Sequence, residues 1–295
     1  MDKKLLLELI PLTFASYFVY KKISHNIKRK NLKGQVVVIT GASEGIGKEY
    51  AHAFAKEKCN LVLASRSKDK LEKLALEIKE KYLVEVLIVQ TDVSKESDAN
   101  NLIEKTLERF EHIDILINNA GIASFDYFSQ SNIEISKKIM DTNFWGMIYC
   151  TKAVLPSMIK KASGKIVNIS SYLGKRAMPA ASVYSASKFA INGFSESLRV
   201  EVKKYGIDIC VICPTATKTE FVNNAQKVSK IKYGIDSMAM SPKRVAKETI
   251  NAILDRKREH VIGSTEKMGL VLNNICPSLM DKILENMPKN EFNKD

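Results

Sequence analysis

Histidine is scarce in this chain: the four residues, at 25, 52, 112 and 260, lie far apart and none pairs at ligand spacing. A metal site held by imidazoles has no support. The cysteines number five, an odd count that argues against a disulfide framework. Cys210-Val-Ile-Cys213 has redox spacing, but it lies in a stretch that reads as a strand, where residues three apart point to opposite faces. Buried apolar roles are expected for both. No internal repeat or low-complexity tract is present, and a second globular domain is not expected. The net charge of +13 invites a nucleic-acid reading, yet residues 1–33 alone carry +6 of it. The rest is scattered over mixed-charge helical stretches such as 68–81, without an aromatic-interleaved basic stripe. Nucleic acid is therefore not expected as a partner; the excess suits an anionic membrane surface and anionic ligands.

What the chain does have is alternation. β-branched runs at 35–40, 60–64, 84–90, 113–117, 164–170, 207–213 and 259–262 read as strands. Helical patterns fill the gaps at 45–58, 68–81, 95–110, 132–161, 182–205 and 242–257. That order predicts one α/β domain with a doubly wound parallel sheet. After the first strand comes Gly41-Ala-Ser-Glu-Gly45-Ile-Gly47 and then a helix. Glycines at a strand-to-helix turn allow close backbone approach, and the helix N-terminus offers free N–H groups to a pyrophosphate.

Tyr184 and Lys188 fall four apart, on one face of a predicted helix. Bringing a phenol from about 10 to about 7 requires roughly 4 kcal/mol. One positive charge about 4 Å away supplies about that much at an effective dielectric of ~20. The pair could make a general acid/base for an alcohol proton, although a Tyr and a Lys on a solvated helix face have the same spacing.

Thr40-Gly-Ala-Ser-Glu-Gly-Ile-Gly47, Asn118-Asn-Ala-Gly121, Asn143, Ile169-Ser-Ser171, Tyr184-x-x-x-Lys188 and the stretch from Pro214 to Thr219 occur together in register. In this the chain resembles the short-chain dehydrogenase/reductase family over about residues 34–262. It is similar in this to membrane-associated hydroxysteroid dehydrogenases and long-chain 3-oxoacyl reductases, which share most of these motifs with bacterial oxidoreductases. The resemblance implies a Rossmann-type domain at 34–263 and a nicotinamide cofactor. It also implies a catalytic set: Tyr184 exchanging a proton with the substrate oxygen, Lys188 depressing the phenol's pKa and bonding the cofactor ribose, Ser171 holding the same substrate oxygen, and Asn143 supporting a proton-relaying water chain. Ser170 is the competitor to Ser171 but points the other way from a strand.

For the cofactor, the resemblance implies Gly41, Ser43, Gly45, Ile46 and Gly47 at the phosphates. Asp92, Val93, Asn119, Ala120 and Gly121 would lie around the adenosine, and Pro214 and Thr219 near the nicotinamide, with Tyr184 and Lys188. The second strand ends in Ser65-Arg66-Ser67 with no acidic residue before Asp69, which favours NADP(H). Arg66 would meet the 2′-phosphate, or alternatively stack on the adenine. One departure is Pro214-Thr215, where the family carries Pro-Gly. The implied lid, 215–240, mixes Phe221, Val222, Ile231, Tyr233, Met238 and Met240 with lysines, as a lipophilic substrate would require, though a flexible exposed loop has the same mixture. The expected activity is interconversion of a ketone and a secondary alcohol on a small lipid-like substrate. A non-catalytic dinucleotide sensor or scaffold is the rival, and it has no need of all four catalytic residues.

Residues 5–20 are almost wholly apolar, broken by Glu8, Pro11, Thr13 and Ser16, and six Lys/Arg follow. An N-terminal apolar helix anchoring residues 1–33 to a membrane is expected, with a cleaved signal peptide and a core or dimer helix as competitors. Positive charge after the segment would place the catalytic domain on the cytoplasmic side. At the other end, 264–295 is read as a helical extension whose apolar pattern breaks at Pro277. It could meet a partner subunit, the substrate cleft or a membrane interface, and homo-oligomerisation is left open.

Overall fold

The computed structural model describes residues 32–221, 224–225 and 239–286, so the apolar segment 5–20 and most of the expected lid lie outside the described residues. β1 (Val36–Thr40) is buried at every position, as is β4 (Ile115–Asn118). β2 (Asn60–Ser65) and β5 (Gly164–Ile169) are buried at all but one. Apolar runs without alternation become strands when helices cover both faces of a parallel sheet. With β3 (Val86–Gln90), β6 (Ile207–Cys213) and β7 (Glu259–Val261) they form a seven-stranded parallel sheet, ordered β3-β2-β1-β4-β5-β6-β7. The doubly wound expectation holds. The order reverses between β1 and β4, which opens a crevice at their C-terminal ends.

Side-chain alternation splits the core in two. Val37 and Ile39 face one layer, covered by α1 (Gly45–Lys56), α2 (Lys68–Tyr82) and, later in the chain, α7 (Pro242–Leu254). Val36 and Val38 face the other, covered by α3 (Glu96–Phe110), α5 (Gly146–Lys161) and α6 (Ser182–Val202). Cys210 packs in the first layer, while Cys213 joins Val211 and Val261 in a separate cluster. Both are buried and free, on opposite faces as the strand reading requires.

The stretch 132–161 is helical as expected, with one departure from the α pattern: α4 (Ile133–Met140), capped by Asn132, joins α5 through a π-helical turn, Asp141–Trp145. The extra residue in the turn carries Asn143 inward, where it pairs with the backbone of Ile122. At the C-terminus, α8 (Ser264–Ile275) and α9 (Pro277–Asn286) meet at the predicted break. Pro277 opens the second helix, where a missing N–H removes no helical bond. Leu270 packs on the cluster holding Cys213. Asp281 pairs with Arg176, tying α9 to the segment after β5. Among the described residues no helix is long and apolar enough to cross a membrane.

Candidate active site

The glycine turn sits at the crevice. Gly41 and Gly45 adopt φ of 64° and 57°, which glycine takes without strain. A Cβ on Gly47 would stand 2.0 Å from the Gly41 carbonyl oxygen, so helix and turn close on each other only without a side chain there. The turn is clamped from β4. Asn119 Nδ2 donates to the carbonyls of Thr40 (2.9 Å) and Gly41 (3.2 Å), and Thr40 Oγ1 accepts from the N–H groups of Asn119 (3.0 Å) and Ala120 (3.1 Å). At the start of α1, Glu44 makes no side-chain cap and the first turn holds no acidic residue. The helix end therefore keeps its positive partial charge and its N–H groups for an anion. A cradle open only to glycine, backed by an uncapped helix, fits the pyrophosphate of a nicotinamide dinucleotide. Ser43 lies in the turn, and Ile46 in the first helical turn packs on the core.

Around the turn, the expected adenosine residues fall at the ends of β2, β3 and β4. Arg66 is exposed just beyond β2, beside the glycine turn, because Ala42 N–H bonds the Ala64 carbonyl at 3.1 Å. Its carbonyl accepts from Gln90 Nε2. Asp92 Oδ1 accepts from the Ser94 hydroxyl at 2.7 Å. Val93 is buried against Gly146, where a Cβ would come within 2.7 Å of it. Thr219 packs on Gly45, at 3.2 Å from where a Cβ would be. Thr215, despite replacing a glycine, has no positive φ. The base of the expected lid is closed by a bridge between Thr217 and Met240.

The four expected catalytic residues come together at the same edge of the sheet. Tyr184, Lys188, Ser171 and Asn143 are all buried. Lys188 Nζ lies 5.6 Å from the centre of the Tyr184 ring and donates to the Ile169 carbonyl at 2.9 Å. The Ser171 side chain lies beside Tyr184 and accepts from the Leu173 N–H at 3.1 Å, whereas the Ser170 hydroxyl turns away to the Lys188 carbonyl at 3.1 Å. The serine choice agrees with the strand argument. The expected depression of the phenol is corrected. Burial pushes Tyr184 up to about 12, opposed only by the Ser171 side chain beside it, and lowers Lys188 to about 8. Desolvation penalises both charged forms, and the ammonium points at a carbonyl. Phe125 and Phe221 flank the tyrosine, with ring centroids 6.2 and 6.0 Å away, in an apolar cluster that also holds Ala123, Ala181, Leu173 and Ala225.

Sequence reasoning missed a second polar layer. Asn118 Nδ2 donates to Thr151 (3.0 Å) and Asn168 (2.9 Å), and Asn168 Nδ2 donates to Ser195 (2.9 Å), all buried. The signal was there: Asn168 interrupts the apolar run Ile-Val-Asn-Ile, and a polar residue in a buried strand needs partners.

A glycine turn at the switch point of a doubly wound sheet, with a buried Tyr–Lys pair on the same edge, is the architecture of a dinucleotide-binding oxidoreductase. Residues 35–230 match the family model described as short chain dehydrogenase. The chain is 34% identical over 280 residues to the Drosophila melanogaster dehydrogenase/reductase SDR family protein 7-like, covering 92% of this chain and 85% of the fly protein. It is 37% identical over 280 residues to the Arabidopsis thaliana 11-beta-hydroxysteroid dehydrogenase-like 2, covering 92% and 88%. Among solved structures, a Thermococcus sibiricus alcohol dehydrogenase complexed with 5-hydroxy-NADP gives a TM-score of 0.71 at 28% identity, over 78% of this chain and 96% of that one. A Burkholderia phymatum short chain dehydrogenase/reductase in complex with NAD matches in fold, with a TM-score of 0.77 at 23% identity, over 85% and 96%. The chain belongs to the short-chain dehydrogenase family and is an NAD(P)-dependent oxidoreductase acting on an alcohol–carbonyl pair.

Proposed function

We propose that the protein is an NADP(H)-dependent oxidoreductase interconverting a ketone and a secondary alcohol on a small, lipid-like substrate, held to a membrane by residues 5–23 with its catalytic domain on the cytoplasmic side. The observation that carries the substrate class is the apolar cluster around Tyr184. Phe125, Phe221, Leu173 and three alanines pack around the Tyr184 ring, so a lipophilic body is favoured there. Bound at the glycine turn, the cofactor supplies the hydride. Tyr184, protonated at neutral pH, gives its proton to the carbonyl oxygen, and Ser171 donates to the same oxygen as charge builds on it. Lys188 lies beside them, and Asn143 orders the backbone at Ile122 next to it.

Arg66 supports the preference for the phosphorylated cofactor: it is an exposed guanidinium beside the glycine turn, where β2 ends without a carboxylate. Its fork would meet the 2′-phosphate with charge-assisted bonds.

The test is a panel of steroid, long-chain 3-oxoacyl and small polar ketones with NADPH and NADH, repeated with Arg66→Ala. Turnover is expected with lipophilic ketones. Arg66→Ala should weaken NADPH about ten- to a hundred-fold and NADH little. Equal losses for both cofactors would show that Arg66 stacks on the base, and turnover of polar ketones alone would sink the lipid-like substrate.

A further inference from the structure

Ser187 stands between Tyr184 and Lys188 in the catalytic helix, is fully buried, and is absorbed by none of the roles above. Its hydroxyl donates to the Tyr184 carbonyl oxygen at 2.7 Å and accepts from Asn143 Nδ2 at 3.0 Å. Asn143 spends its other bonds on one residue of the segment after β4. Nδ2 donates to the Ile122 carbonyl at 3.0 Å, and Oδ1 accepts from the Ile122 N–H at 2.8 Å.

The donor count makes this network directional. A hydroxyl has one hydrogen; given to the Tyr184 carbonyl, it leaves only lone pairs toward Asn143, so the group facing it must be the NH2. The Ile122 N–H demands the oxygen on the other side. Both constraints select the same one of the two carboxamide orientations. The reverse orientation would set NH2 against N–H, and oxygen against both a carbonyl and a hydroxyl without a free hydrogen. Other buried polar groups pin the helix elsewhere: Ser170 reaches the Lys188 carbonyl, and Asn192 the Gly174 carbonyl.

We infer that Ser187 is a positioning residue, locking the Asn143 carboxamide to the catalytic helix so that Asn143, the segment 121–122 and the Lys188 ammonium keep one arrangement. The fit at Gly121 shows how closely these groups are joined. A Cβ there would lie 3.2 Å from Asn143 Oδ1 and 3.7 Å from Lys188 Nζ. A carboxamide released from Ser187 would be held by the backbone of Ile122 alone. The inference rests on the catalytic roles proposed for Tyr184, Lys188 and Asn143.

The test uses full-length enzyme with NADPH and the best ketone of the panel, comparing Ser187→Ala, Ser187→Thr, Asn143→Ala and the Ser187→Ala/Asn143→Ala pair. Ser187→Ala is expected to lower kcat about ten-fold with both KM values within about two-fold, since the binding surfaces are untouched. Its pH–rate profile should move toward that of Asn143→Ala. Ser187→Thr, whose hydroxyl can bond the same helical carbonyl, should recover kcat to within about three-fold. On the Asn143→Ala background, Ser187→Ala should cost less than about two-fold further. Equal fractional losses in both backgrounds would overturn the inference, as would an effect confined to melting temperature. Tyr184→Phe in the same series separates the two readings. If it stays active, the catalytic assignment falls; if it is inactive while Ser187→Ala is additive, only the role of Ser187 falls.

Discussion

Tyr184 is the residue on which the proposed chemistry turns. A phenol held near 12 by burial is a proton donor at neutral pH. Tyr184→Phe keeps the ring packed between Phe125 and Phe221 and removes only the proton. Turnover should fall by about 10² to 10⁴ while NADPH binding, read by fluorescence titration, stays within about three-fold. More than about a tenth of the original kcat would mean another group is the acid. Lys188 gives a pH signature in stability. Its folded pKa of about 8 lies below the ordinary lysine value near ~10.4, so between them the unfolded chain binds more protons. Its contribution is therefore present at high pH and is lost as pH falls through about 8. From pH 8 to 9.5 the native state should gain about 2 kcal/mol relative to Lys188→Met, measured by denaturant unfolding of both at each pH. Parallel stability curves for the two proteins would show that Lys188 is not desolvated.

At the level of elements, the strands were legible because β1, β2 and β4 carry unbroken apolar runs that only a doubly covered parallel sheet can bury. The π turn at Asp141–Trp145 was not. Its sequence continues a helical pattern, and the extra residue makes sense only once Ile122 stands opposite Asn143. The polar layer was likewise hidden, since Asn118 lies on β4, Thr151 on α5, Asn168 on β5 and Ser195 on α6, and only strand order makes them neighbours. That layer ties the catalytic helix to the sheet beneath it. Asn168→Ala would remove one of the two bonds made by Asn118 Nδ2 and the donor that Ser195 Oγ accepts from, leaving Asn118 its bond to Thr151 and Ser195 its bond to the Ile191 carbonyl. It should cost about 3 kcal/mol by denaturant unfolding. A change under about 0.5 kcal/mol would mean the groups find other partners.

Across the whole molecule, every residue assigned to the cofactor or to catalysis lies between Gly41 and Thr219, within the stretch that matches the family model. The sixteen residues 5–20 would run about 24 Å as a helix, and extension to Ile23 gives about 28 Å, close to a ~30 Å hydrocarbon core. Full-length protein is expected to resist carbonate extraction and to need detergent, with its catalytic domain open to protease on sealed cytoplasm-out vesicles. Recovery in the carbonate supernatant would remove the anchor, and a shielded domain would reverse the orientation.

Local chemistry was enough to read the glycine turn and the alternation of strand and helix, because each depends on spacing along one segment, whereas the Tyr–Lys pair stood out only in the company of the other motifs. The choice of Ser171 over Ser170 was local too, since neighbours leaving a strand diverge. Tertiary structure decided what spacing cannot carry. It put Asn119 under the carbonyls of Thr40 and Gly41, closed aromatic rings around Tyr184, and faced Asn143 with Ser187 on one side and Ile122 on the other. It also reversed the expected pKa of the tyrosine. The charge of Lys188 could be counted from the sequence, but the water removed from around both groups is a property of the packed interior alone.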